Sequence, residues 1–154
     1  MKRPEAVLSA YLAARAFRAE PHLPSGRQAP RLVVVIPAMA EWPGLLDTLT
    51  DLDRGITDDL SQEVLSLVVV NHPEGAPASV RENNRRTLEA LTDPRGLGLY
   101  RLRTGVIDAA SVPVIPVGDG VGVARKLGMD TAAAMQNDAG NPWGGIVCLD
   151  ADTR

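Results

Sequence analysis

The chain has 154 residues, 45% of them hydrophobic and 23% charged, with a formal net charge of −3. That balance is close to the globular average and excludes a disordered tail, a collagen-like repeat and a long coiled coil. The mild acidity and the lack of a long Lys/Arg block argue against a nucleic-acid partner. The single cysteine, Cys148, excludes an internal disulfide and a multi-cysteine zinc site.

In chain order, Pro4 to Ala19 reads as a short amphipathic helix, with Val7, Leu8, Tyr11 and Leu12 on one stripe. Glu5, Arg15 and Arg18 interrupt what a signal peptide would keep apolar. No stretch approaches the roughly 20 apolar residues that span a bilayer. The chain therefore reads as soluble and cytoplasmic, with no transmembrane segment. Two prolines and a glycine between Glu20 and Gly26 break the helix. Residues 1–29 form an N-terminal arm and linker, expected to pack on a domain spanning 30–154; a partner or membrane contact is the alternative for its apolar stripe.

Leu32 to Ile36 is a continuous β-branched, apolar run, the pattern of a strand buried on both faces, and Pro37 is expected to stop it. Pro43 to Arg54 predicts a helix buried through Leu45, Leu46, Leu49 and Leu52. Val64 to Val70 predicts a second buried strand, ended by Asn71, His72 and Pro73. Ser79 to Leu91 predicts a second helix with Ser79 as N-cap. After a turn at Asp93–Gly96, Leu97 to Arg103 predicts a third strand. Thr104 to Gly120 is read as a long loop or as holding a short strand at Val112–Val117. Gly122 to Gln136 predicts a third helix, and Ile146 to Leu149 a fourth buried strand. Strands alternating with helices predict an α/β fold with a mostly parallel, doubly wound sheet flanked by helices.

In such sheets ligands bind at the carboxyl ends of the strands. Asp150 and Asp152 follow the fourth strand, two residues apart and hence on one side of an extended segment. Two such carboxylates repel unless neutralised, and a hard ion such as Mn²⁺ or Mg²⁺ suits them; solvated turn residues are the alternative. Gly118 to Lys126 suggests a phosphate-binding helix start, with Arg125 and Lys126 as its cations. It fits neither a Walker A loop nor the dinucleotide pattern. His22 reads as solvent-facing, His72 as a cleft or turn residue, and Cys148 as a buried small hydrophobe.

Three segments together resemble family 2 glycosyltransferases. Val33 to Glu41 resembles their opening strand and its I-P-x-x-N-E loop. Gly122 to Asp130 resembles their A-R-x-x-G segment, and Gly145 to Asp152 their strand ending in the DxD motif. The three occur in the family's order and span most of the chain beyond the arm. The resemblance implies a GT-A fold, a Rossmann-like nucleotide-binding half that takes a nucleotide-diphosphate sugar for transfer to an unknown acceptor. By position it places Pro37, Ala38 and Glu41 beside the nucleotide and Asn71 at the base or ribose. Arg125 and Lys126 fall near the phosphates, Asp150 at the ribose or donor sugar, and Asp152 as the direct metal ligand with Asp150 beside it.

Ala40 stands where the family has asparagine, and Asn71 replaces a common aspartate. The chain ends at Arg154, so the resemblance implies a domain incomplete at its C-terminus, with the acceptor site and catalytic base beyond it. Glu63, Glu82 and Glu89 read as surface residues rather than as that base. The fourth strand is then expected to leave an apolar edge open to self-association. A non-catalytic nucleotide-binding or interaction module is the alternative reading, and a nucleotidyltransferase the third.

Overall fold

A computed structural model describes residues 3–25, 29–111 and 120–153. The described elements run α1 (Pro4–Arg15), β1 (Leu32–Ala38), α2 (Gly44–Gly55), β2 (Val64–Asn71), α3 (Ala78–Ala90), β3 (Arg103–Ala109), α4 (Val121–Asp138) and β4 (Gly145–Cys148). The four strands form one parallel sheet in the order β3-β2-β1-β4. This is the α/β arrangement with a parallel sheet expected from the alternating pattern, and its strand order is Rossmann-like.

Chain handedness distributes the helices. From β1 through β2 to β3 the sheet grows in one direction, so the crossovers α2 and α3 share a face. The step from β3 to β4 returns past β2 and β1, which puts α4 on the opposite face. The two cores reflect this division. Leu45 and Leu49 of α2 close over Ile36, Val68 and Val70. Ala124, Leu127 and Ala132 of α4 close over Val33, Val35, Leu67 and Val69. The large side chains among these are fully buried, each contributing about 1.5–3 kcal/mol. Gly128 allows α4 to lie tightly on the sheet: a Cβ there would stand 2.9 Å from Val69 Cγ2 and closer still to Val35 Cγ1.

The arm packs on the domain. Leu8, Leu12 and Ala16 rest on Ala133 and Ala134 of α4. The helix ends at Arg15 rather than Ala19 because α4 captures the next amides. Phe17 N–H donates to Asp130 at 2.7 Å and Ala19 N–H to Thr131 Oγ1 at 3.1 Å. His22 is solvent-exposed, as expected, while its backbone bonds both ways with Val106 and covers the β3 edge.

Other expectations are corrected. Pro37 does not stop β1, which continues to Ala38. Val35 C=O accepts Leu149 N–H, so residues of this parity face β4, and β4 pairs only with residues 32–35. Pro37 therefore lacks its donor where no partner strand needs it. The third strand is Arg103–Ala109, not Leu97–Arg103. Buried Asp53 accepts the amides of Arg101 and Leu102, both at 2.7 Å, which ties that segment to the end of α2 instead of to β2. Ser79 lies inside α3; Pro77 is the N-cap, and its carbonyl accepts the amides of Val80 and Arg81. The proposed strand at Val112–Val117 lies outside the described residues. β4 is not fully buried but alternates exposed and half-buried positions, because among the described residues it pairs with β1 alone. Cys148 is accordingly half-buried. Among the described residues no helix is long and apolar enough to cross a membrane.

Candidate functional site

The carboxyl ends of β1 and β2 and the start of α4 enclose a cavity of about 320 Å³, at the small end of ligand-binding clefts. Its lining includes Pro37, Ala38 and Glu41 from β1 and the loop after it, Asn71 from the end of β2, and Gly120 and Val121 at the N-terminus of α4. Four of the residues singled out from sequence thus meet here: Pro37, Ala38, Glu41 and Asn71. Met39 and Pro73 add apolar surface. A wider groove of about 460 Å³ lies at the amino ends of β1, β2 and β4, beside Leu32, Val64 and exposed Trp143. Only the first cavity occupies the end of the sheet where this architecture gathers its loops.

The strand order reverses between β1 and β4, so the segment after β4 belongs to the same edge. Asp150 and Asp152 are both exposed there, in a turn around buried Ala151. Thr48 Oγ1 of α2 anchors that turn, lying 2.6 Å from Ala151 C=O and 3.0 Å from Thr153 C=O. Arg125, in the second turn of α4, pairs with Asp150 Oδ1. Its guanidinium is raised above its ordinary range, first by the hydrogen bond it donates to Asp150. Burial pushes the neighbouring Cys148 thiol up, against the opposing charge of Arg125.

Lys126 is not brought to this edge. Its ammonium pairs with Asp130 and reaches Arg15 C=O at 3.1 Å, fastening the arm to α4. Adjacent helix positions point about 100° apart, so Arg125 and Lys126 cannot both face the sheet edge. Gly118 and Asp119 of the expected phosphate loop lie outside the described residues, whereas Gly120 and Val121 line the cavity.

Among the described residues no group of three or more His, Cys, Asp or Glu could hold a metal by itself. Mg²⁺ and Mn²⁺ do not require one: one or two carboxylates with waters and ligand phosphates make up their usual shell. Asp152 fits this role as an exposed carboxylate without an ion pair among the described residues. Asp150 shares its charge with Arg125. The glutamates set aside as catalytic bases are ion-paired at the surface. Glu63 faces Arg31, and Glu89 faces Arg85. Hydrogen bonds from Arg85 and then Arg86 lower Glu82 to about 2.

No protein-family model, curated protein or solved structure matches this chain.

Sequence reasoning missed two residues that bond the backbone beside the cavity, Asn83 and Asn84 of α3. Asn84, fully buried, accepts Ala40 N–H through Oδ1 at 2.9 Å. Its Nδ2 donates to Asn71 C=O at 2.9 Å and lies 3.0 Å from His72 Nδ1. Asn83 accepts Trp42 N–H at 3.0 Å and donates to Trp42 C=O at 2.7 Å. His72 thus turns toward Asn84, while its neighbours Asn71 and Pro73 line the cavity. The available signal was two consecutive asparagines inside a helix, where their propensity is poor and their side chains seek other partners.

Proposed function

We propose that this chain is the donor-binding domain of a family 2-like glycosyltransferase, holding a nucleotide-diphosphate sugar. The observation that carries the reading is that the first motif segment lines a cavity with Gly120 and Val121, the residues just before the second, while the second and third meet through Arg125 and Asp150. Segments remote in sequence thereby share one end of the sheet.

In this reading the apolar cavity takes the base and ribose, with Glu41 and Asn71 as its hydrogen-bonding groups. The N-terminus of α4 offers backbone amides and a favourable dipole to phosphate. Asp152, with Asp150, holds Mn²⁺ or Mg²⁺, which when bound neutralises the diphosphate and stabilises it as a leaving group. Arg125 then exchanges part of its contact with Asp150 for the ligand's charge. Asn71 in place of an aspartate keeps hydrogen bonding while removing one negative charge from the nucleotide side.

Calorimetric titration with UDP, GDP and their sugars, with and without Mn²⁺, tests the proposal. Metal-dependent binding of one of them is expected; a folded protein that binds none would overturn it. A binding-only module is the second reading, favoured by the Arg125–Asp150 pair, which balances one carboxylate without a metal. Sugar transfer by this chain would eliminate that reading.

A further inference from the structure

We infer that Asn83 and Asn84 of α3 are the positioning residues of the cavity, setting Glu41 and Asn71, its polar lining residues among those described, from a single helix. Glu41 lies between two backbone amides that α3 holds: Ala40 N–H on Asn84 Oδ1 and Trp42 N–H on Asn83 Oδ1. Asn83 also donates to Trp42 C=O, so its amide grips both sides of one residue. Asn84 donates to Asn71 C=O at the end of β2. One buried side chain therefore joins the loop that presents Glu41 to the strand that presents Asn71.

The loop needs such a hold. Ala40 has φ of 60°, in the left-handed region that alanine seldom adopts. A residue held there relaxes unless its surroundings over-determine it. The Asn84 bond to the Ala40 amide supplies that determination, and α3 provides a rigid base because Asn84 is itself buried. The amide orientation follows from the same contacts. Oδ1 accepts from Ala40, so Nδ2 must be the group that faces Asn71 C=O and His72 Nδ1. Turning the amide over would oppose donor to donor at Ala40 and acceptor to acceptor at Asn71.

The consequence for nucleotide rests on the proposed function; the clamp itself does not. Amide hydrogen exchange followed by NMR separates the two. In the wild-type chain Ala40 and Trp42 amides are expected to be protected. Asn84→Ala removes protection at Ala40 and Asn83→Ala at Trp42, each leaving amides of β1 and β2 protected. Asn83→Asp keeps the acceptor and restores Trp42 protection. A general loss of stability would instead raise exchange throughout. If Asn84→Ala fails to fold, Asn84→Asp, which keeps the acceptor but loses both donor contacts, is expected to retain protection at Ala40. Unprotected Ala40 and Trp42 amides in the wild type, or protection unchanged in folded alanine variants, would overturn the inference.

Calorimetry with UDP or GDP and Mn²⁺ then reads the consequence. Asn83→Ala is expected to weaken binding roughly tenfold, the scale of the two part-buried hydrogen bonds lost. If the wild type binds neither nucleotide while the exchange pattern holds, the nucleotide reading fails and the clamp stands. If the wild type binds and Asn83→Ala binds equally well with Trp42 deprotected, the positioning role is refuted.

Discussion

Replacing Asp130 by alanine should release the N-terminal arm and leave the sheet folded. The carboxylate is almost fully buried, with 5% of the side chain exposed. It accepts the Tyr11 hydroxyl at 2.7 Å and Phe17 N–H at 2.7 Å, and pairs with Lys126. A hydrogen bond to a charged group is worth about 1.5–3 kcal/mol in mutational series. Tyr11 and Lys126 are 37% and 45% exposed and regain water when released, so only part of their share is lost. The Phe17 amide, held against the domain, regains less. A net cost of about 3 kcal/mol falls on arm docking. Contacts of Leu8 and Leu12 and the Ala19–Thr131 bond remain, so opening is local. That cost raises the open population about a hundredfold. Trypsin cleavage at Arg15 and Arg18, both exposed, samples that population when opening is fast. Initial cleavage rates by mass spectrometry should rise on that scale in Asp130→Ala and less in Asp130→Asn, which keeps one acceptor oxygen. A folded Asp130→Ala variant cut within about twofold of the wild-type rate would refute the assignment of Asp130 and Lys126 to the arm.

Acid should reproduce the effect. Burial pushes the Asp130 carboxyl up, but Lys126, Phe17 N–H and the Tyr11 hydroxyl together hold it below its ordinary value. A depressed carboxyl stabilises above its unfolded value and loses that contribution as pH falls through the folded one, so Phe17 amide protection should persist near neutrality and fade below about pH 4. Gly128→Val should lower stability by about 2 kcal/mol, or roughly 5 °C in melting temperature, because the added carbons meet fully buried Val35 and Val69; an unchanged melting temperature would contradict the close helix–sheet contact. Asp152→Asn should remove most of any Mn²⁺-dependent gain in UDP or GDP affinity, whereas Lys126→Ala should leave nucleotide affinity unchanged. Calorimetry on both variants checks this pair, and a loss of affinity in Lys126→Ala would return that lysine to the phosphates.

The central architecture was legible because its signals are local. Leu32–Ile36 is apolar on every residue and Val64–Val70 on every residue but Ser66, the pattern of a strand covered on both faces. The helix after each carries its own periodicity. The third strand was misplaced because Arg103–Ala109 mixes Arg103, Thr104, Gly105 and Asp108 with its apolar residues. What holds Arg101 and Leu102 away from β2 is the carboxylate of Asp53, 48 residues before Arg101. No pattern within the segment encodes that contact.

Composition and periodicity by themselves determined the fold class and the order of elements, since each follows from residue spacing along the chain, and so drew attention to the carboxyl ends of the strands. Tertiary structure alone decided which groups meet there. Arg125 and Lys126 are adjacent in sequence and chemically alike, yet α4 turns one to Asp150 and the other to Asp130. Asn83 and Asn84 carry no motif, yet they hold the loop that presents Glu41. Spacing records direction around a single helix or strand; the identity of the partner depends on which other element lies opposite, and that is set only when the sheet order β3-β2-β1-β4 closes.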